Sequence, residues 1–117
     1  LVFGAIRSPL AQPRNLVGGH VLSALVGVAC YQWLGEVPVL AVATAVATAI
    51  ALMHATRTLH PPGGATALIA VIGSERVHDL GYLFALVPAG AGAGIMLLVG
   101  LGVNNLSRSR RYPLFWL

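Results

Sequence analysis

The sequence has few charged residues for its length. Only 9% of its 117 residues are Asp, Glu, Lys or Arg, whereas soluble domains carry about 25%. So few charges cannot cover the surface of a water-soluble domain, and that class is excluded. A single cysteine, Cys30, excludes a scaffold held by disulfides. The hydrophobic fraction of 57% and the mean hydropathy of +0.84 predict an all-α, polytopic transmembrane helical bundle.

Lysine is absent, and the seven basic residues are all arginine. With three acidic residues they give a formal net charge of +4. The arginines flank apolar segments, which indicates a membrane surface and not a nucleic acid as partner. The lack of lysine and the abundance of alanine favour a bacterial source, so the expected location is the inner (cytoplasmic) membrane. Residues 1–5 are typical of the end of an apolar segment, and we expect the natural protein to start upstream.

Three apolar stretches are long enough to cross a membrane. They predict helices at about residues 16–34, 39–59 and 80–104, because about 20 helical residues span the hydrocarbon core. Residues 35–38 are short enough to be a turn, so the first two helices are expected to form an antiparallel hairpin. Pro88 predicts a kink in the third helix. Residues 1–117 are expected to form a single transmembrane domain.

A fourth apolar stretch, residues 63–73, is too short to span a membrane. It follows the His-Pro-Pro sequence of residues 60–62, and proline is favoured in the first turn of a helix. We expect a re-entrant half-helix here, which is tolerated where protein or water surrounds it. A loose similarity between residues 2–27 and 71–100 also predicts an internal repeat.

Small residues recur at four-residue spacing on each long helix. Such stripes allow helix backbones to approach closely, and they predict helix packing and a homo-oligomer. The alternative is that alanine and glycine are simply common throughout the chain. The stripes are Gly19, Ser23 and Gly27 on the first helix, Ala43, Ala47, Ala51 and Ala55 on the second, and Gly90 and Gly94 on the third.

Two sequence blocks resemble the HPP family of integral membrane proteins. Residues 60–68 have the sequence HPPGGATAL, and residues 8–20 have the sequence SPLAQPRNLVGGH. The resemblance implies a membrane domain of four helices, of which this chain lacks the first, and a role in membrane transport. Plant plastid and cyanobacterial relatives are associated with nitrite, so the resemblance implies nitrite as the first candidate substrate.

The candidate substrate site lies around the His-Pro-Pro sequence. Arg57 lies just before it, and a guanidinium group suits the oxygens of nitrite or nitrate. Backbone N–H groups at the start of the half-helix could hold an anion without a second charge. The alternatives are an arginine that extends to the membrane surface and a turn that only packs helices. The predicted substrate-binding residues are Arg57, His60, Gly63, Gly64, Ala65 and Thr66.

Other polar residues support further interpretations. His20 and His54 are candidates for lining a pore or relaying a proton. No histidine or cysteine spacing fits a metal site, and we expect neither a metal nor another cofactor. Arg7 and Arg14 could attract anions to a pore mouth or be solvated at the membrane surface. No nucleophile motif or pair of carboxylates predicts an enzyme.

The arginines at residues 108–111 predict the topology. By the positive-inside rule they place that end of the chain in the cytoplasm. Three spanning helices and a half-helix then put Arg7 and Arg14 outside, against the same rule. A full crossing by residues 65–73 would satisfy the rule, but the half-helix is preferred because the stretch is short.

The sequence therefore predicts a channel or secondary transporter for a small inorganic anion. Its expected partners are the lipid bilayer, the anion and further copies of the chain, with no nucleic acid. One alternative is a membrane scaffold or sensor that transports nothing, in which the motif only packs helices. The other is a channel for small neutral solutes.

Overall fold

The chain folds into helices that cross the molecule in alternating directions. The computed structural model describes residues 1–117 and contains no β-strand, which confirms the all-α prediction. Three stretches are long and apolar enough to cross a membrane: Pro13–Leu34, Pro38–Ala55 and Ala85–Asn105. The helices are α1 (Pro13–Leu34), α2 (Pro38–Ala55), α3 (Pro61–Ile72), α4 (Glu75–Asp79) and α5 (Ala91–Asn105), with a 3-10 turn at Pro9–Ala11 and a kinked helical segment at Ala85–Gly90 before α5.

Proline determines both the starts of helices and the kink. Pro13, Pro38 and Pro61 stand in the first turns of α1, α2 and α3, where a missing N–H costs nothing. Pro88 lies inside the segment before α5, and the adjacent Val87 has non-helical φ and ψ angles of −136° and 116°. The kink predicted at Pro88 is therefore confirmed.

Helix α3 runs alongside α1 in the same direction. Gly19 of α1 lies beside His60 at the start of α3, and Tyr31 near the end of α1 stacks on His78 in α4. The chain thus continues through α3 and α4 to the far end of α1, and α5 returns from there. The expected re-entrant half-helix and internal repeat are not confirmed. A helix shorter than a membrane span is tolerated here because α3 packs against other helices along its length.

Both ends of the chain lie at the same end of the bundle. The Asn104 side-chain amide, in the last turn of α5, donates to the Val2 carbonyl oxygen at 2.9 Å. The hydroxyl of Tyr112, which follows α5, donates to the Ala11 carbonyl oxygen before α1 at 2.7 Å. Burial of this phenol also raises its pKa. The expectation that the first and last arginines lie on opposite sides is therefore wrong, because α3 carries the chain across.

Charge is distributed unevenly between the two ends. We call the end that holds both termini the arginine end, and the opposite end the acidic end. The basic residues meet no carboxylate at the arginine end, because all three acidic residues lie at the other. The arginine end carries Arg7, Arg14, Arg57, Arg108, Arg110 and Arg111, and the acidic end carries Glu36, Glu75, Arg76 and Asp79.

The small residues of α1 lie at its contact with α3. Gly19, Ser23 and Gly27 are all buried. A Cβ atom on Gly27 would lie 2.6 Å from the Ala67 carbonyl oxygen, so only glycine fits there without a shift of the helices. The predicted stripe on α1 is confirmed as a packing surface.

The stripe predicted on α2 lies on the outward face of the helix and does not pack within the chain. Alanine occurs at every second position from residue 41 to residue 51. The sequence spacing therefore supports a stripe on either side of the helix, and the tertiary contacts decide which one packs. The buried residues of α2 are Ala41, Ala45, Ala49 and Met53, whereas the exposed ones include Ala43, Ala47, Ala51 and Ala55. The stripe predicted on the third long helix is not fully buried either, because Gly90 and Gly94 are only half-buried.

Candidate functional site

The turn between α2 and α3 holds Arg57 in the left-handed backbone region, with a φ of 56°. A non-glycine residue in this region costs about 1–2 kcal/mol. The Arg57 N–H donates to the His54 carbonyl oxygen at 3.2 Å, and the Thr58 N–H donates to that of Met53 at 2.9 Å. These two hydrogen bonds form a Schellman motif at the C-terminal end of α2, a motif in which the residue at this position is usually glycine. Helix α2 therefore ends at Ala55, earlier than the sequence predicts.

Two side chains at the start of α1 hold this turn in place. The Arg14 Nη2 donates to the Thr56 carbonyl oxygen at 3.0 Å. The Asn15 Nδ2 donates to the Leu59 carbonyl oxygen at 2.8 Å. Because these carbonyl groups follow the end of a helix, they would otherwise lack a partner in the protein. The N-terminal end of α1 thus fixes the path of the chain into α3.

His60 is buried at the start of α3, with only 1% of its surface exposed. Its Nδ1 lies 2.7 Å from the Leu10 carbonyl oxygen. A carbonyl oxygen can only accept, so the neutral ring carries its proton on Nδ1 and leaves Nε2 free to accept. This contact joins residues 8–20 to residues 60–68, the two blocks that were singled out in the sequence.

His20 of α1 lies next to His60. The ring centroids are 5.1 Å apart with an angle of 58° between the planes, and the His20 Nδ1 lies 2.7 Å from the Thr66 hydroxyl oxygen. Both rings line a cavity of about 280 Å³, whose other walls include Val2 and Met96. We call His20 and His60 the histidine pair. It places polar ring atoms in largely apolar surroundings.

The residues that open α3 pack against α1 and do not surround Arg57. A Cβ atom on Gly63 would lie only 2.8 Å from the Ser23 hydroxyl oxygen. Gly64 is also buried, whereas Ala65 is exposed. The structure thus places the predicted substrate-binding residues in two groups, one around the start of α3 and the other around Arg57.

Arg57 lines a second cavity, of about 380 Å³, at the arginine end. Arg14, Asn15 and His54 also line this cavity, and no acidic residue does. We call it the basic cavity. The sequence indicated Arg57 and His54 separately, and it indicated Arg14 only as a residue that could attract anions. Their proximity depends on how α1 holds the turn, which no local pattern reveals.

Met53 lies between the basic cavity and the histidine pair. It is fully buried and contributes to the wall of the basic cavity. The Ser23 hydroxyl donates to its sulfur at 3.5 Å, and the same sulfur is 3.3 Å from where a Cβ on Gly19 would lie. Sequence reasoning missed this residue, because a methionine on an apolar helix indicates packing and nothing more.

Comparisons with known proteins agree with the two sequence blocks. The family model described as "HPP, transmembrane region" matches residues 1–113. Two transmembrane proteins of Dictyostelium discoideum are 51% and 52% identical to the chain in alignments of 120 residues that cover 99% of it. The chain spans 38% and 41% of the lengths of these relatives. No solved structure matches.

The two relatives and the family match provide information on the membrane location and the family of this chain. Because both relatives come from a eukaryote, they give no support to the expected bacterial inner membrane. Their description as transmembrane proteins agrees with the apolar helices of the structure. The family match extends over nearly the whole chain and includes the His-Pro-Pro turn. The chain is therefore a membrane protein that belongs to the HPP transmembrane-region family.

Proposed function

We propose that the chain carries a small inorganic anion across a membrane, as a channel or secondary transporter, with nitrite as the first candidate. The basic cavity supports this proposal. Arg14, His54 and Arg57 line one space that contains no acidic residue, so no acidic side chain opposes an anion that enters it. Each guanidinium group can donate two parallel hydrogen bonds to the oxygens of a small oxyanion. On this proposal the protein is not an enzyme and needs no cofactor.

The histidine pair supports a path inward from the basic cavity. An anion in a medium of low dielectric constant needs hydrogen-bond donors or a compensating proton. The N–H of neutral His60 is already donated to Leu10, so His20 is the ring that could donate a hydrogen bond to an anion, and protonation of either ring would add a second N–H. Met53 separates this pair from the basic cavity, and it is the side chain that would have to move for an anion to pass.

The exposed alanine stripe supports self-association. The residues on the outward face of α2 are small enough to let a second copy approach closely. We therefore propose a homo-oligomer in the bilayer, with α2 at the contact. The stripe consists of Ala43, Ala47, Ala51 and Ala55.

The proposal can be tested by nitrite uptake into proteoliposomes that contain the purified full chain. We expect wild-type uptake to respond to an imposed membrane potential and Arg57→Gln to lower it at least tenfold. Arg76→Gln is the matched control, because Arg76 is an exposed arginine at the acidic end. Unchanged uptake in Arg57→Gln would remove Arg57 from the site. Correctly folded protein with no flux of nitrite, nitrate or chloride would overturn the proposal.

The tight contact between α1 and α3 favours a second candidate, a membrane scaffold or sensor that transports nothing. Gly63 lies against Ser23 and Gly19 with no space between the backbones, as expected if the motif only packs helices. A folded protein without flux would support this candidate. A channel for neutral solutes would instead show flux that depends neither on membrane potential nor on Arg57.

A further inference from the structure

We propose that a cavity at the arginine end binds the phosphate group of an anionic membrane lipid. The cavity has a volume of about 480 Å³ and shares no lining residue with the basic cavity. It forms where the segment before α1 meets the segment after α5. Arg7, Ser8, Ser109, Arg110 and Arg111 contribute its polar lining.

Three guanidinium groups border this one cavity without a compensating carboxylate. Their mutual repulsion is unfavourable in the empty protein, so an anion between them would be stabilised by all three. Arginine also binds phosphate oxygens through pairs of parallel hydrogen bonds. The lining therefore matches a phosphate group better than it matches a cation or a neutral ligand.

Arg110 is held in place by the ends of the chain. Its Nη1 donates to the Asn104 side-chain oxygen at 3.2 Å, and its Nη2 lies 3.4 Å from the Phe3 carbonyl oxygen. Arg7, from the segment before α1, and Arg111, from the segment after α5, are exposed and also line the cavity. The cavity thus combines one fixed guanidinium group with two that can adjust to a ligand.

The position of the cavity, beside the end of a spanning helix, favours a lipid over a free phosphate ion. Asn104, which holds Arg110, belongs to the last turn of α5, so the cavity lies beside the end of a membrane-spanning helix. Large aromatic side chains are exposed at the same end: Phe3 by 43%, Phe115 by 43% and Trp116 by 56%. Aromatic side chains favour the level of the lipid headgroups, and clustered arginines attract anionic headgroups there.

Native mass spectrometry of the full chain in detergent tests this proposal. The protein is mixed with equal amounts of phosphatidylglycerol and phosphatidylcholine, and the retained lipid is counted. We expect wild-type protein to retain phosphatidylglycerol preferentially. The double variant Arg7→Gln with Arg111→Gln should lower this preference about 25-fold, because each arginine near an anionic headgroup contributes about fivefold. The control is Arg76→Gln, which should keep the wild-type preference.

Three results would overturn the proposal. The first is a double variant that keeps the full preference. The second is an Arg76→Gln control that loses as much as the double variant, which would indicate a general effect of charge. The third is complete displacement of phosphatidylglycerol by millimolar inorganic phosphate, which would assign the cavity to a free ion. Circular dichroism in detergent checks that the double variant keeps its helices, as expected because both arginines are exposed.

Discussion

Helix α1 contacts α3 and α5, two of its neighbours, in different ways. Against α3 it uses Gly19 and Gly27, where a Cβ atom would lie 2.6 Å from atoms of the other segment. Against α5 it uses larger side chains: Leu16 belongs to a buried cluster with Val2, Ile6 and Tyr112, and Leu97 and Leu101 of α5 pack against this cluster. The first contact brings two backbones together, whereas the second is made by larger apolar side chains.

The glycines of α5 show why this difference matters. A Cβ atom on Gly92, Gly94 or Gly102 would meet nothing within 4 Å, although α5 is richer in glycine than α1. On the same helix Ile95 is 62% exposed and Leu98 is 69% exposed, as expected for a surface that faces lipid. Glycine spacing therefore predicts close packing only where a partner helix is present.

Removal of the His60 side chain should break the α1–α3 contact most severely. His60→Ala leaves a cavity and deprives the Leu10 carbonyl oxygen of its donor, so we expect the free energy of unfolding to fall by about 3 kcal/mol. The matched control is His54→Ala, since His54 is exposed and should change stability by less than about 0.5 kcal/mol. Reversible unfolding in detergent, followed by circular dichroism, measures both. Equal effects would contradict a structural role for the buried ring.

A pair of glycine substitutions compares the two contacts directly. Gly27→Ala places a Cβ against the Ala67 carbonyl oxygen, which belongs to the backbone and cannot rotate away, so stability should fall by about 2 kcal/mol. Gly94→Ala meets open space and should raise stability by about 0.5–1 kcal/mol through the better helix propensity of alanine. The same unfolding measurement applies. A change of the same sign at both sites would show that the contrast between the contacts is wrong.

The smallest expected effect separates the backbone of Arg57 from its charge. Arg57→Gly relieves the left-handed conformation and should raise the free energy of unfolding by about 1 kcal/mol. Arg57→Gln keeps the unfavourable backbone and should leave stability nearly unchanged. Both variants lose the guanidinium group, so both should lose nitrite uptake on the proposed function. If Arg57→Gly unfolds more easily than wild type, the wild-type Arg57 side chain must stabilise the turn, contrary to this expectation.

Much of the architecture follows from local patterns in the sequence. The three spanning helices were predictable because each is a long apolar stretch, and the kink was predictable because Pro88 interrupts one of them. The early end of α2 was not predictable, because Arg57 occupies a position where glycine usually gives the signal. The packing face of α2 was also hidden, since alanine recurs on both sides of that helix.

The candidate site was harder to predict than the helices, because it depends on contacts between residues that are distant in the sequence. The sequence indicated Arg57, His60 and His20 one by one. The basic cavity and the histidine pair form only through contacts between residues far apart in the chain. Arg14 contacts the turn after α2, and His20 lies next to His60. Met53 had no signal of its own, because its role depends only on what lies on either side of it.

The sequence by itself determined that this chain is an all-helical membrane protein, because composition and apolar length are local properties that any fold must accommodate. It also determined which residues are unusual enough to examine, above all the His-Pro-Pro turn. Only the tertiary structure decided that α3 crosses to the far end, that the termini meet, and that five of the seven arginines line two separate cavities. These outcomes depend on which helix faces pack against each other. The energy of that packing comes from pairs of residues that are far apart in the sequence, so no local pattern reveals it.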